Sequence, residues 1–404
     1  MESQEIELFE EKMKCCACGA CVNACPRNAV SMVYDEYGYA YPQINREKCI
    51  CCGACKKVCA FQNRVEQEGA IKVYASARKD TEKILKSTSG GIFAVLAENT
   101  IKKGGIVYGA SMELEAGKFV IKHVGIDNLN ELTRLQGSKY VQSQIGYIYK
   151  EIRSKLQMGI EVLFSGTPCQ VAGLKAFLSK EYDNLLTVDI ICHGVPNQAF
   201  FQDSIELLEK KLCKKIVDFK FRDKEKSWGH GKSKAVCIEE NGETKDCFLM
   251  LDEYTYYDLF LNGLISRENC YHCKYTNNHR PGDITIGDYW GIGKIHPEFV
   301  ITNGGSLDPQ NGISAVIINT CKGLNYLNEV ENELILCQSS FEKVAMANTQ
   351  LREPSKYNVK RDYIMKLYLY QGYESVHRYA LKQIRVRKLK MNIKRLVKTI
   401  LHRN

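Results

Sequence analysis

EVLFSGTPCQ (161–170), followed after a short interval by LLTVDIICHGVP (185–196), is the stretch on which the reading of this chain turns. Two apolar runs, 162–164 and 185–191, have strand length and β-branched content, and residues 171–178 between them place apolar side chains at helical spacing. This is a strand–helix–strand unit, whose two strands run parallel with a right-handed crossover. Each strand runs into a cysteine near its carboxyl end, Cys169 and Cys192. Neighbouring strands would bring both thiols to the sheet edge where open α/β folds bind ligands. Two roles are open to Cys169: a nucleophile activated at a helix N-terminus, or one of two thiolates that form half of a metal site.

The chain has 404 residues, long enough for two or three domains, with 45% hydrophobic and 25% charged residues, as in ordinary globular proteins. No apolar run approaches the roughly 20 residues needed to span a bilayer. The acidic start MESQEIELFEEK lacks the apolar core of a signal peptide. A cytoplasmic location is expected, where 19 cysteines serve as metal ligands or buried thiols rather than disulfides. The net charge of +9 is local: residues 378–404 hold ten Lys or Arg and no Asp or Glu. The body is close to neutral, so charge gives no argument for nucleic-acid binding.

Cys15, Cys18, Cys21 and Cys25 follow the spacing C-x2-C-x2-C-x3-C, with Pro26 behind them. Cys49, Cys52, Cys55 and Cys59 repeat it, with Ala60 in place of proline. Three thiolates on a tight loop wrap three corners of an iron–sulfur cube, and the fourth cysteine of each run ligates the other cluster. This predicts one 4Fe-4S cluster on Cys15, Cys18, Cys21 and Cys59, and a second on Cys49, Cys52, Cys55 and Cys25. A pair of zinc knuckles is the competing reading. Cys16 and Cys51 are off register and are read as non-ligands. The segment VSMVYDEYGYAYPQI between the repeats reads as a hairpin.

After a polar linker, the segment STSGGIF (87–93) sets Ser89, Gly90 and Gly91 before a helical apolar face. Glycines at a helix start allow an anion to approach free backbone amides; an ordinary N-cap with flexible glycines looks the same. Lys139 and Tyr140 follow a glycine and can contact a cofactor phosphate or ring, or belong to a plain surface loop. His123 falls in a strand and receives no functional role.

Further on, residues 198–211 read as a helix, and 216–250 as β-structure with a hairpin at Asn241–Gly242. Cys237 and Cys247 are expected as packed thiols across that hairpin, and Trp228, Gly229 and His230 as a lid over the site. Cys270 and Cys273 form a C-x2-C pair, which alone fits zinc, a redox dithiol or an iron–sulfur corner. With no second such pair nearby, the missing ligands must come from elsewhere, and Cys169, Cys192, Cys270 and Cys273 together would complete a third cluster. His193 and His272 flank these cysteines as pocket residues rather than ligands. DITIGDYWG and GISAVIINT read as two more strands.

In this order SGGIF, GGIVYGA, LQGSKYVQS, FSGTPCQVAGL, DIICHGVP, CYHC and DITIGDYWG closely resemble the coenzyme F-420 hydrogenase/dehydrogenase beta-subunit family over about residues 71–340. The resemblance implies an FAD and iron–sulfur oxidoreductase that passes electrons between one-electron carriers and a substrate. It implies that Cys169, Cys192, Cys270 and Cys273 hold a cluster near the flavin, and that Ser89, Gly90, Gly91, Lys139 and Tyr140 line the FAD site. It does not identify the deazaflavin as substrate.

The expected fold is thus mixed α+β and α/β. Residues 1–65 form a small two-cluster ferredoxin-type domain, 71–160 a candidate FAD cradle, 161–340 a second part with the third cluster, and 341–404 a helical basic tail. In that tail Ile393, Leu396, Val397, Ile400 and Leu401 form an apolar stripe among basic residues, suited to an anionic membrane surface, the body or a partner. The expected partners are a ferredoxin or partner oxidoreductase as electron donor, and a small-molecule substrate. An electron-transfer subunit that docks on another enzyme without a substrate site of its own is the alternative.

Overall fold

Alternating apolar side chains build the sheet that carries the rest of the molecule. In the strand 162–166, Val162 and Phe164 enter one core and Leu163 the core on the opposite face. A computed structural model describes residues 6–63, 68–224, 228, 232–250 and 252–401 of this chain. Its strands are β1 (Val30–Tyr34), β2 (Ala40–Ile44), β3 (Lys72–Arg78), β4 (Ile106–Glu115), β5 (Lys118–Ile126), β6 (Val162–Gly166), β7 (Leu185–Ile190), β8 (Lys215–Asp223), β9 (Lys232–Ile238), β10 (Thr244–Leu249), β11 (Ile284–Asp288), β12 (Ser314–Ile318) and β13 (Leu334–Ser339).

Eight of them form one mixed sheet in the order β13-β3-β12-β11-β7-β6-β4-β5. The central strands β11, β7, β6 and β4 are parallel, and the outer ones join antiparallel. β6 and β7 are hydrogen-bonded neighbours joined by the helix Pro168–Leu178, as the strand–helix–strand reading requires. Thr167 caps that helix in a capping box with Gln170, and Pro168 occupies its first turn. Helices Ile92–Lys102 and Cys321–Glu329 cover one face of the sheet. Helices Ile148–Gln157 and Pro168–Leu178 cover the other.

The separation expected between 71–160 and 161–340 runs between β4 and β6, which are paired. The two stretches therefore build a single core, because a parallel sheet interleaves distant segments. β8, β9 and β10 make a separate antiparallel sheet. Across it Cys237 faces Lys245 and Cys247 faces Ala235, so the two thiols meet diagonally rather than directly.

β1 and β2 form the hairpin between the cysteine loops. Each loop enters a short helix, Ala20–Ala24 or Ala54–Lys57, through a left-handed glycine: Gly19 at φ +80° and Gly53 at φ +71°. A long helix, Arg361–Leu401, breaks at Gly372, where φ is +72°. Its first half is no free tail: Ile364, Tyr373, Val376, Ala380 and Ile384 are buried in the body. Ile393 is exposed, and the side chains of Leu396, Val397, Ile400 and Leu401 lie outside the described residues, as do Gly229 and His230. Among the described residues no helix is long and apolar enough to cross a membrane.

Candidate functional site

The parallel strands deliver their carboxyl ends to one edge. There Gly166 ends β6 and Thr167 follows it, Ile191 and Cys192 follow β7, and Asp288 ends β11. These residues form one wall of a cavity of about 760 Å³, within the range of roughly 300–1,000 Å³ common for cofactor and ligand sites. Ser87, Thr88, Ser89 and Gly91 line another wall, at the start of the helix Ile92–Lys102. Lys139 and Tyr140 line it too, and the Tyr140 ring stacks on Phe260 at 4.8 Å.

Gly90 does not line this cavity, contrary to expectation. It is turned to the sheet, where its N–H donates to Ser314 Oγ at 2.9 Å and its carbonyl accepts from Arg78 N at 2.7 Å. A Cβ there would stand 2.4 Å from Ser76 O. Close packing against β3 and β12, rather than ligand approach, requires the glycine. Lys224 holds the same turn, donating to the carbonyls of Ile84 at 3.0 Å, Asn311 at 2.6 Å and Ser89.

His123 lines the cavity although its sequence context gave no sign of it. Its Nε2 lies 3.0 Å from Ser165 O, its ring stacks on Phe164 at 5.2 Å, and Nδ1 is buried without a partner among the described residues. A carbonyl only accepts, so Nε2 carries the proton and Nδ1 is a free acceptor. Burial lowers its pKa to about 4, so the ring is neutral. Burial also lowers the pKa of Lys139 to about 7, with Asp218 opposing.

At the floor of the site Asp288 accepts from Arg222 Nη1 at 2.5 Å and from Trp228 Nε1 at 3.0 Å. Trp228 stacks on Trp290 at 5.0 Å, which places this residue of the expected lid against the cavity wall. His193 lines the cavity, and burial lowers its pKa.

The cysteines gather into three groups. Cys15, Cys18, Cys21 and Cys59 act electrostatically on one another. Cys25, Cys49, Cys52 and Cys55 line a small recess. Cys169, Cys192, Cys270 and Cys273 come together from three separate segments, and Cys192 also faces the large cavity. Among the described residues no three metal-binding side chains converge as they would on one ion. The thiolates of a cubane cluster each hold a different iron and so stand further apart than the ligands of one ion. Cys16 is buried between the first and third groups, its thiol hydrogen-bonded to Cys169 and Cys18. That contact is the main reason the Cys169 pKa is lowered, to about 7.

Residues 14–63 match the 4Fe-4S dicluster domain. Residues 160–343 match the family described as the C terminus of the coenzyme F420 hydrogenase/dehydrogenase beta subunit. No curated protein matches the chain. Among solved structures, a chain of the F420-reducing NiFe hydrogenase complex from Methanosarcina barkeri is similar at 17% identity with a TM-score of 0.39, over 80% of this chain and 94% of that one. Iron–sulfur clusters and oxidoreductase electron transfer follow from the two family matches. Residues 160–343 are thus similar to the C terminus of the coenzyme F420 hydrogenase/dehydrogenase beta subunit, with a match to a 4Fe-4S dicluster domain in front of that region.

Proposed function

We propose that this chain is an iron–sulfur flavoprotein oxidoreductase with three 4Fe-4S clusters and one FAD, acting on an organic substrate. One observation carries the reading. Cys192 belongs to the third cysteine group and also lines the large cavity, so the cysteine group and the cavity share a side chain. The donor sets fit. Cys15, Cys18, Cys21 and Cys59 would hold one cluster, Cys25, Cys49, Cys52 and Cys55 the second, and Cys169, Cys192, Cys270 and Cys273 the third. The cavity fits a flavin nucleotide in size and in its aromatic walls.

When bound, the clusters carry single electrons and the flavin exchanges electrons singly or in pairs. The residues of the chain bind and orient. Ser87, Thr88, Ser89 and Gly91 place a helix N-terminus at the cavity wall, where the helix dipole would favour phosphate. Lys139, with its pKa near neutrality in the free cavity, gains its full charge beside an anion. Phe260, Tyr257 and Trp290 exclude water from the apolar walls. A ferredoxin or a partner oxidoreductase is the electron donor on this reading.

Anaerobic purification with iron, sulfide and flavin quantification tests it. About twelve iron atoms per chain are expected from three four-iron clusters, with stoichiometric flavin after reconstitution. Zinc without sulfide sinks the cluster reading, and a chain that takes up no flavin sinks the cavity assignment. Cys169→Ser should lose about four iron atoms and keep about eight; full retention returns Cys169 to the role of a nucleophile. Oxidation of a small-molecule donor with a viologen acceptor by the isolated chain distinguishes an enzyme from a docking protein without a substrate site.

A further inference from the structure

A charge taken out of water needs a partner. Arg267 is fully buried, at 0% exposure. The other buried arginines among the described residues each meet a carboxylate: Arg78 meets Glu98 at 2.6 Å, Arg280 meets Asp189 at 2.7 Å, and Arg361 meets Asp362 at 3.6 Å. Arg267 meets none among the described residues. Its donors go to neutral acceptors instead, Nε to Cys15 O at 3.0 Å, Nη1 to Gln142 Oε1 at 3.2 Å and Nη2 to Ala40 O at 2.8 Å. The Tyr41 ring centre lies 4.1 Å from the guanidinium carbon. A guanidinium does not deprotonate in a protein, so one full positive charge is sealed in without a counter-ion from the polypeptide.

Its surroundings show where the counter-charge belongs. Arg267 O accepts from Cys270 N at 2.9 Å, and Nε reaches the backbone of Cys15. Arg267 therefore bridges the first cysteine group and the third. None of its side-chain hydrogen bonds reaches the second group. Gln142 completes the bridge: its Nε2 donates to Cys16 O at 3.1 Å while its Oε1 accepts from Arg267.

We propose that Arg267 is the fixed counter-charge shared by the first and third clusters, a positioning residue that raises the reduction potential of both while leaving the second untouched. The inference rests on the cluster assignment above. Each electron taken up adds one negative charge, and a fixed positive charge in a low-dielectric gap favours that state. Sharing one guanidinium, the two potentials move in the same direction.

The test is an EPR-monitored redox titration of the iron-loaded full chain, comparing wild type with Arg267→Gln and Arg267→Lys. Signals are assigned with Cys52→Ser and Cys169→Ser, and iron is counted in every sample. Arg267→Gln should shift the first and third midpoints downward and leave the second in place. Arg267→Lys, which keeps the charge, should stay near wild type. Unchanged potentials in Arg267→Gln, an equal shift of all three clusters, or the same shift in Arg267→Lys overturns the proposal. Loss of iron in Arg267→Gln alone supports a charge requirement, whereas loss in both variants overturns it. A wild-type chain without about twelve iron atoms fails the cluster assignment itself, before any variant is compared.

Discussion

His123 is a buried imidazole held neutral. Burial is the main cause, with nearby Lys139 adding to it, and the folded pKa falls to about 4 from an ordinary 6.5. The unfolded chain therefore takes up its proton first as the pH drops. The stability contributed by the neutral ring is complete above pH 6.5 and drains away towards pH 4. Between pH 7 and pH 5 its share of the loss is about 2 kcal/mol, at about 1.36 kcal/mol per pKa unit. His123→Phe keeps the stack on Phe164 and removes the titration. Anaerobic urea unfolding at both pH values should find the variant less acid-sensitive than wild type by that amount. An identical pH response in the two proteins would exclude His123 as the titrating group. Of the residues that matter here, the cysteine runs were legible because their chemistry is written in short spacings. His123 and Arg267 were not, because their roles come from Ser165, Cys15 and Gln142, all far away in the chain.

The turn 87–91 shows the same limit for elements. A glycine pair before a helical apolar face reads correctly as a helix start, and Gly91 is in fact the left-handed N-cap, at φ +83°. Which of the two glycines packs and which faces the cavity is set by β3 and β12, segments that local pattern cannot place beside it. Gly90→Ala puts a Cβ 2.4 Å from Ser76 O and 2.9 Å from Ser314 N, both backbone atoms of the sheet. The turn must move, at a cost of about 1–3 kcal/mol in line with overpacking elsewhere. On the flavoprotein reading proposed above, the displaced turn should also lose flavin. Gly104→Ala is the control, because that position has φ +78° but open space around it. It should cost about 1 kcal/mol and keep its flavin. Thermal denaturation with flavin content measured on the same samples checks both, and normal flavin in Gly90→Ala would dissociate the turn from the cavity. β13 and the helix Cys321–Glu329 escaped the sequence for a related reason: β13 is a short edge strand that, among the described residues, pairs with β3 alone, far away in the chain.

The cysteine repeats look like a detachable module, and the polar stretch after them reads as a linker. The packing contradicts that independence. Cys16, Cys18, Ala20 and Phe61 share one core with Tyr149, Ile152, Phe164, Leu174 and Tyr275 of the body. A Cβ on Gly173 would stand 2.8 Å from Cys18 Sγ, so the helix after β6 lies directly against the first cysteine loop. Asn23 Nδ2 donates to Gly146 O at 2.8 Å, Tyr39 Oη to Ile265 O at 3.0 Å, and Asn197 Nδ2 to Tyr37 O at 2.9 Å. Met365, from the C-terminal helix, is buried with Tyr39 and Tyr41. Front, body and helix therefore share apolar cores and stabilise one another. Thermal unfolding of the iron-loaded chain should give one midpoint whether followed by cluster absorbance or by far-ultraviolet circular dichroism. A chain beginning at residue 68 should expose the Tyr149 and Tyr275 side of the body and unfold at a lower temperature than the full chain, or aggregate. Two separated midpoints, or a shortened chain as stable as the full one, would show that the front module docks without being needed. The interlocking has a functional reason that loose tethering lacks: a buried Arg267 can act on two clusters only if the surfaces that enclose it never part.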